Sequence, residues 1–337
     1  MKSSVVCRLA FLAVVGLSAA APAGAQQFTM KLSSPTINDV QHEYMKLLKA
    51  GVESRAGGRI KVEIYPANQL GQIPRTVEGV AMGTIEMTYP AVGFLVGLEP
   101  RFEVLDAPGI FDDVIHGQRV LTDPDVRKLL ATFGAAKGVE PLVTFLNGPM
   151  MLLSHKAVRT LDDFKGQKIR VTGGTPMYIE PFRKLGASPL SMPLGEVLPA
   201  MQNRTIDGAI AAFAVFNAFK YYDVAKDLSY LPKSFLVAAG LVNSKFMKSL
   251  GPQLETIVRE EARKAESVFS TWGLEDLERI RKSWEGHAGQ LITMSPAEAS
   301  RYLKEVGEVT TQMLSKNPQA KQDHEALLAA ATKYRGR

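Results

Sequence analysis

One apolar stripe constrains this chain more than any other feature. Leu254, Ile257, Val258, Ala265, Val268, Phe269, Trp272, Leu277, Ile280 and Trp284 recur at three-to-four spacing between Pro252 and Gly286. A helix of about 34 residues is roughly 50 Å long. That is wider than one small domain, so the helix is expected to cross between two bodies. The length agrees, because 337 residues are enough for two domains at roughly 150 residues each.

The flanking patterns are those of α/β structure. Phe28 to Leu32 and Arg59 to Tyr65 alternate as strands, and Val40 to Ser54 between them has helical spacing, stopped by Gly57-Gly58. A helix from Arg75 to Met82 and a strand at Ile85–Tyr89 continue the order, which implies a parallel sheet. A second block opens near residue 140. Its expected strands are Leu142–Leu146, Met151–Ser154, Lys168–Val171, Ser188–Met192 and Ile206–Ile210. Helices are expected through Tyr178 to Leu185 and over Glu196–Asn203, the latter only if Pro199 lies in its first turn. Phe235–Asn243 and Gln290–Met294 read as strands, and the chain from Pro296 onward as helix. No linker separates the blocks, so the chain is expected to cross between them more than once.

The N-terminus is of another kind. Lys2 and Arg8 precede the apolar run Leu9–Ala21, and Ala23-Gly24-Ala25 has the form of a cleavage site. Residues 1–25 are therefore read as a secretory signal peptide, cut after Ala25. The only cysteine, Cys7, leaves with it. The mature chain then has no disulfide, thiolate or cysteine metal site, and must be stable through its core alone. Lys plus Arg number 40 against 34 Asp plus Glu. The charges are scattered, which argues for a solvated surface and against nucleic-acid binding.

Enzyme signatures are missing. The five histidines show no i,i+3 or i,i+4 pair, and there is no H-E-x-x-H, nucleophile elbow, phosphate-binding loop or dinucleotide fingerprint. No metal and no cofactor are expected. The loop Gly173-Gly174-Thr175 follows a strand and precedes a helix, as an anion nest or a plain turn would. Met150 and Met151, with Phe213, Phe216 and Phe219, are either core or the lining of an apolar pocket. Arg170, at the end of its strand, is either a surface residue or a fork for a carboxylate.

Several ordered motifs share a family pattern. The central one runs from Lys156 through Leu161-Asp162-Asp163-Phe164-Lys165-Gly166 to Lys168-Ile169-Arg170-Val171. Leu185-Gly186-Ala187-Ser188-Pro189, Met192-Pro193, Gly195 to Gln202 and Ile206-Asp207-Gly208 follow. Upstream lie Gly57 to Pro66 and Gln69-Leu70-Gly71, and downstream Tyr221 to Lys226. Together they resemble the solute-binding proteins of tripartite ATP-independent periplasmic (TRAP) transporters, of the DctP type. The resemblance implies a two-lobed periplasmic binding protein, with a ligand cleft between α/β lobes and a long helix crossing both. It implies lobe I at 26–147 plus 236–276, and lobe II at 148–235 plus 277–337. It also implies that Arg170 pairs with the carboxylate of an organic acid.

The chain departs from that pattern at informative places. Met150 stands where sialic-acid-binding relatives carry a second arginine. Asp207-Gly208 is followed by Ala209-Ile210-Ala211-Ala212-Phe213, where many relatives have glutamate and a polar residue. The expected ligand is thus a monocarboxylate with an apolar body, contacting Arg170, Met150, Gly173, Ala211, Phe213 and Phe216. The alternatives are a four-carbon dicarboxylate or hydroxy acid, a sensor component, and a periplasmic enzyme on the same scaffold. The expected partners are the small ligand and the TRAP membrane permease, with no nucleic acid, and a monomer is favoured over a dimer.

Overall fold

The computed structural model describes residues 27–336; the signal-peptide reading of residues 1–25 lies outside them. The first half is built from β1 (Phe28–Ser33), α1 (Val40–Ala56), β2 (Ile60–Tyr65), α2 (Ile73–Met82), β3 (Met87–Thr88), α3 (Val114–Thr122) and α4 (Pro124–Leu130). Asp39 caps α1 by accepting from the His42 amide, and Gly57 ends it in the left-handed conformation. β1 pairs in parallel with β2 on one side and β3 on the other, as the alternation requires.

The second half holds β5 (Lys168–Val171), α5 (Pro176–Lys184), β6 (Ser188–Ser191), α6 (Leu194–Gln202), β7 (Gly208–Ala212) and α7 (Phe213–Ala218). β5 is parallel to both β6 and β7. Pro199 is the sixth residue of α6, not a first-turn residue as expected. The proline removes only the bond to the Gly195 carbonyl. Buried Leu194, Val197, Ala200 and Met201 hold the helix in place by packing.

Two long strands unite the halves. β4 (Val139–Ser154) and β8 (Asp227–Asn243) run antiparallel along almost their whole lengths. β8 borders β3 at one end and β9 (Gln290–Ile292) at the other, while β4 borders β7. The sheet order is β2-β1-β3-β8-β4-β7-β5-β6, so it is mixed, not purely parallel. The two strands expected at Leu142–Leu146 and Met151–Ser154 are one. The Asn147-Gly148-Pro149 interruption is absorbed by register shifts between Leu146 and Gly148 and between Pro149 and Met151.

The apolar stripe crosses the molecule as a broken rod. α8 (Ser244–Ser249) leads into α9 (Gly251–Ala265), then a 3-10 turn at Glu266–Phe269, then α10 (Trp272–Gly286). The expected single helix breaks at Thr271 (φ −114°, ψ −89°). The hydroxyls of Ser270 and Thr271 both donate back to the Ser267 carbonyl, at 3.3 and 2.9 Å, and so compete with helix continuation. α9 packs on α1, and α10 packs on α7. Phe269 stacks on Phe145 of β4 at 4.2 Å and on Tyr44 of α1 at 5.2 Å. Trp284, fully buried, meets Phe213 edge-on at 6.2 Å. α11 (Pro296–Leu314) lies on α5, whereas α12 (Pro318–Tyr334) lies on α3, α4 and the 3-10 segment Pro100–Asp106. The C-terminal helix thus packs on the first half, away from the group 277–337 in which it was expected.

Candidate functional site

The segments that leave the carboxyl ends of β1, β3, β5 and β7 converge where the halves meet. This is where ligands bind in α/β sheets, because strand order changes there and loops from both sides face one gap. The gap encloses about 40 Å³. Thr36, Gln41, Asn147, Arg170 and Thr172 supply its polar lining; Tyr89, Phe94, Leu194, Ala211, Val215 and Leu236 are among its apolar walls.

Arg170 is the only cation among the described lining residues. It is 1 % exposed, one of the largest fully buried side chains. The alternation of β5 turns Arg170 and Thr172 to the same face, towards the gap. Its Nε and Nη2 both donate to the Met192 carbonyl, at 3.1 and 3.0 Å. Its Nη1 donates to the Ile210 carbonyl at 2.9 Å and to Thr172 Oγ1 at 3.1 Å. Four of the five N–H groups are therefore held by neutral acceptors, and one on Nη2 remains. No carboxylate lies within ion-pair distance among the described residues, and burial lowers the guanidinium to about 10. It is still charged at neutral pH, with no anion of its own.

The other expected site residues are dispersed. Ala211 lines the same gap as Arg170. Met150 does not. It pairs with Ala212 across β4 and β7, one residue out of step with Ala211, so the pleat turns it to the opposite face. There it lines a second cavity of about 20 Å³, with Ile210, Tyr178 and Asp106. Phe213 packs on Trp284 and Tyr230, and Phe216 on Tyr221, so both serve the core; Val215, between them, reaches the gap. Gly173 makes a backbone contact. A Cβ there would lie 2.5 Å from the Gly93 carbonyl carbon and oxygen. On Gly93, in the 3-10 turn Val92–Phe94, a Cβ would lie 2.9 Å from Thr172 O, so the two glycines allow a close backbone approach across the gap.

Sequence reasoning missed Asn147, Gln41 and Thr36. Asn147 falls between the two strands expected at Leu142–Leu146 and Met151–Ser154, Gln41 lies in the helix expected over Val40–Ser54, and Thr36 lies before it. Asp106 was missed as well. It is 5 % exposed, and neither carboxyl oxygen has a hydrogen-bond partner among the described residues. Burial raises it well above the ordinary range, and neighbouring Tyr178, whose hydroxyl is likewise unpaired, offsets only part of the rise. Among the described residues no group of three or more His, Cys, Asp or Glu side chains is placed to hold a metal.

The comparison that decides the family covers residues 33–317, which match the bacterial extracellular solute-binding proteins, family 7, the DctP group. The chain belongs to that family. Among curated relatives, it is 29 % identical over 256 residues to the 2,3-diketo-L-gulonate-binding periplasmic protein YiaO of Escherichia coli, covering 76 % of this chain and 77 % of YiaO. Among solved structures, the TRAP periplasmic solute-binding protein of Desulfovibrio salexigens with bound orotic acid aligns with a TM-score of 0.85. That alignment is at 22 % identity, over 91 % of this chain and all of that one. The succinate-bound protein of Shewanella oneidensis gives 0.84 at 22 % identity, over 90 % of this chain and 99 % of its own. The fold is therefore the two-lobed binding-protein fold, crossed by the α9–α10 rod. Family and fold are those of solute-binding proteins.

Proposed function

We propose that this DctP protein is a periplasmic carrier that binds an organic acid in the interlobe cleft and delivers it to a TRAP permease. One observation carries the reading. Arg170 is a buried guanidinium, fixed by carbonyls on a rigid strand, with no carboxylate partner among the described residues. Such a charge is costly unless an anion reaches it. The bound orotic acid and succinate of the two structural neighbours are carboxylic acids, in keeping with this role. With one cation in the lining and walls of Tyr89, Phe94, Leu194 and Val215, a single carboxylate on an apolar body fits best.

The packing supports the following division into lobes. Lobe I takes residues 27–147, 236–270 and α12; lobe II takes 148–235 and 271–314. The chain passes between them on β4, β8 and the α9–α10 rod, and the β4 bulges at 146–151 are the natural hinge. Opening is required, since a gap of about 40 Å³ admits little more than a water.

The test is a thermal-shift screen of residues 26–337 against aliphatic and aromatic monocarboxylates, dicarboxylates and sugar acids. A monocarboxylate is expected to give the largest rise, and Arg170→Lys to abolish it, since a lysine ammonium has three donors and cannot replace the bonds to the Met192 and Ile210 carbonyls and Thr172 while also meeting a ligand. A screen in which no carboxylate raises the melting temperature would overturn the reading. A sugar acid giving the largest rise would overturn the apolar-body part alone. Periplasmic export predicts a mature protein that begins at Gln26 and carries no lipid, checked by mass analysis.

A further inference from the structure

The cleft presents two side-chain amides whose nitrogen ends are already committed. Asn147 Nδ2 donates to Asp39 Oδ2 at 3.4 Å. Asp39 is buried and tied in place: its Oδ2 also accepts from Thr36 Oγ1 at 2.7 Å, and its Oδ1 accepts from the His42 amide at 3.0 Å. Only an N–H group can face that carboxylate, so the orientation of the Asn147 amide is fixed. Its Oδ1 is then the free end, and it has no partner among the described residues although the side chain is 6 % exposed. Gln41, 2 % exposed, likewise has its nitrogen end held. Its Nε2 donates to Ser34 Oγ at 2.5 Å and to Thr36 Oγ1 at 3.3 Å, which leaves its oxygen end as an acceptor.

Both amides line the cavity that Arg170 lines. A buried carbonyl without a donor is destabilising, and a ligand donor removes that cost. No protein donor lies within hydrogen-bond distance of Asn147 Oδ1 among the described residues. Asn147 and Arg170 line the same small gap, of about 40 Å³, so one compact ligand could meet both. The buried Asp39 carboxylate stands behind the Asn147 amide.

We infer that Asn147, supported by Gln41, is a specificity-determining residue: it selects carboxylates that carry a hydrogen-bond donor beside the carboxyl group, namely 2-hydroxy or 2-amino acids with an apolar body. This rests on the carrier reading and deepens it. The proposal separates the ligand from a plain fatty or aryl acid, which would leave Asn147 Oδ1 buried and unpaired. It assigns the donor side of the cleft to residues of β4 and α1, and the anion side to β5.

Matched acids test it by titration calorimetry on the mature chain. One set is propanoate, lactate and alanine. The second is 4-methylpentanoate, 2-hydroxy-4-methylpentanoate and leucine. In the wild type, the hydroxy or the amino acid of a set is expected to bind at least tenfold tighter than its parent, and which of the two leads identifies the donor as hydroxyl or ammonium. In Asn147→Leu the members of a set are expected to fall within about twofold of one another. A parent acid that binds the wild type as tightly as its donor-bearing partners overturns the inference, and this comparison stands even if the variant fails to fold. A preference that survives Asn147→Leu overturns it too. In both cases binding that is lost in Arg170→Lys leaves the carrier reading intact. If none of the six acids binds, the inference falls.

Discussion

Closing the cleft brings two backbones into contact at glycines, and adding one methyl group there should hold it open. Gly93 is the cleaner of the two sites, because Gly173 has φ +79° and a side chain would strain it in any state, whereas Gly93 does not have positive φ. A Cβ on Gly93 would stand 2.9 Å from Thr172 O and from Asp106 Oδ2, and 3.3 Å from Thr175 Cγ2. The Asp106 carboxyl can turn away. The Thr172 carbonyl belongs to the backbone at the end of β5 and moves only with its lobe. The clash is therefore paid in the closed state and relieved in the open one. Overpacking of this kind costs about 1–3 kcal/mol, which weakens any ligand that requires closure by roughly 5- to 150-fold. Gly93→Ala should lose that much affinity for the tightest acid found by thermal shift, measured by calorimetry. Spin labels on the two lobes should report a larger open population at equal ligand, while the unliganded melting temperature moves little. An affinity within twofold of wild type would refute the reasoning, for it would mean that the Gly93–Gly173 approach is not a condition of tight binding.

Three further outcomes follow from the same geometry. Arg170→Ala removes the donors to the Met192 and Ile210 carbonyls as well as the anion site, so besides losing ligand it should destabilise the fold by on the order of 2–5 kcal/mol, read by urea unfolding. Asp106 keeps its proton in the folded protein to higher pH than in the unfolded chain; its contribution is greatest at low pH and falls as pH rises from about 4 through the raised value. Asp106→Asn removes that slope, so its stability relative to wild type should be greater at about pH 8 than at about pH 5; equal differences at both would refute the assignment. Asp123 is the opposite case, held at about 2 by Lys333, Tyr334 and the α4 amides although burial opposes it. Its stabilisation is full above about pH 4 and lost as pH falls through 2, and Asp123→Asn should weaken the docking of α12, read as faster amide exchange in that helix.

Much of the architecture was legible because its elements obey a single period. α1 and β2 are found where the 3.6- and 2-residue patterns place them, and so is the crossing stripe, apart from its break at Ser270-Thr271. The β4–β8 ladder was not legible. It pairs Val139 with Asn243 and Ser154 with Asp227, and no local pattern announces a partner so distant in sequence. Gly148-Pro149 in β4 and Pro232-Lys233 in β8 look like chain breaks, and only the bulges show how one strand runs through them. At the site, the role expected of Arg170 came from the family resemblance, because a strand-end arginine beside a glycine loop reads equally as a surface residue. Met150 was misplaced by parity: one residue decides the face of a strand, and a shift about the Pro149 bulge moves a side chain from the cleft to the α5 side. Asn147 and Gln41 gave no signal, since no local pattern shows that Asp39 and Ser34 hold their nitrogen ends.

The buried charge also explains why such a cleft would close only on cargo. In the closed conformation Arg170 is shut off from water, and burial lowers it from 12.5 to about 10, a penalty on the charged form of roughly 3 kcal/mol. In an open cleft water solvates the guanidinium and the penalty is relieved. Closure without an anion must therefore bear that cost, together with the unpaired oxygen of Asn147. A ligand that supplies a carboxylate to the one and a donor to the other removes both costs at once, and only when the lobes have met. The selectivity of the cleft and the trigger for its closing are then the same set of unmet bonds. A neutral analogue of the cargo would bind with neither tightness nor closure, whatever its shape, because it leaves the guanidinium in the state that keeps the lobes apart.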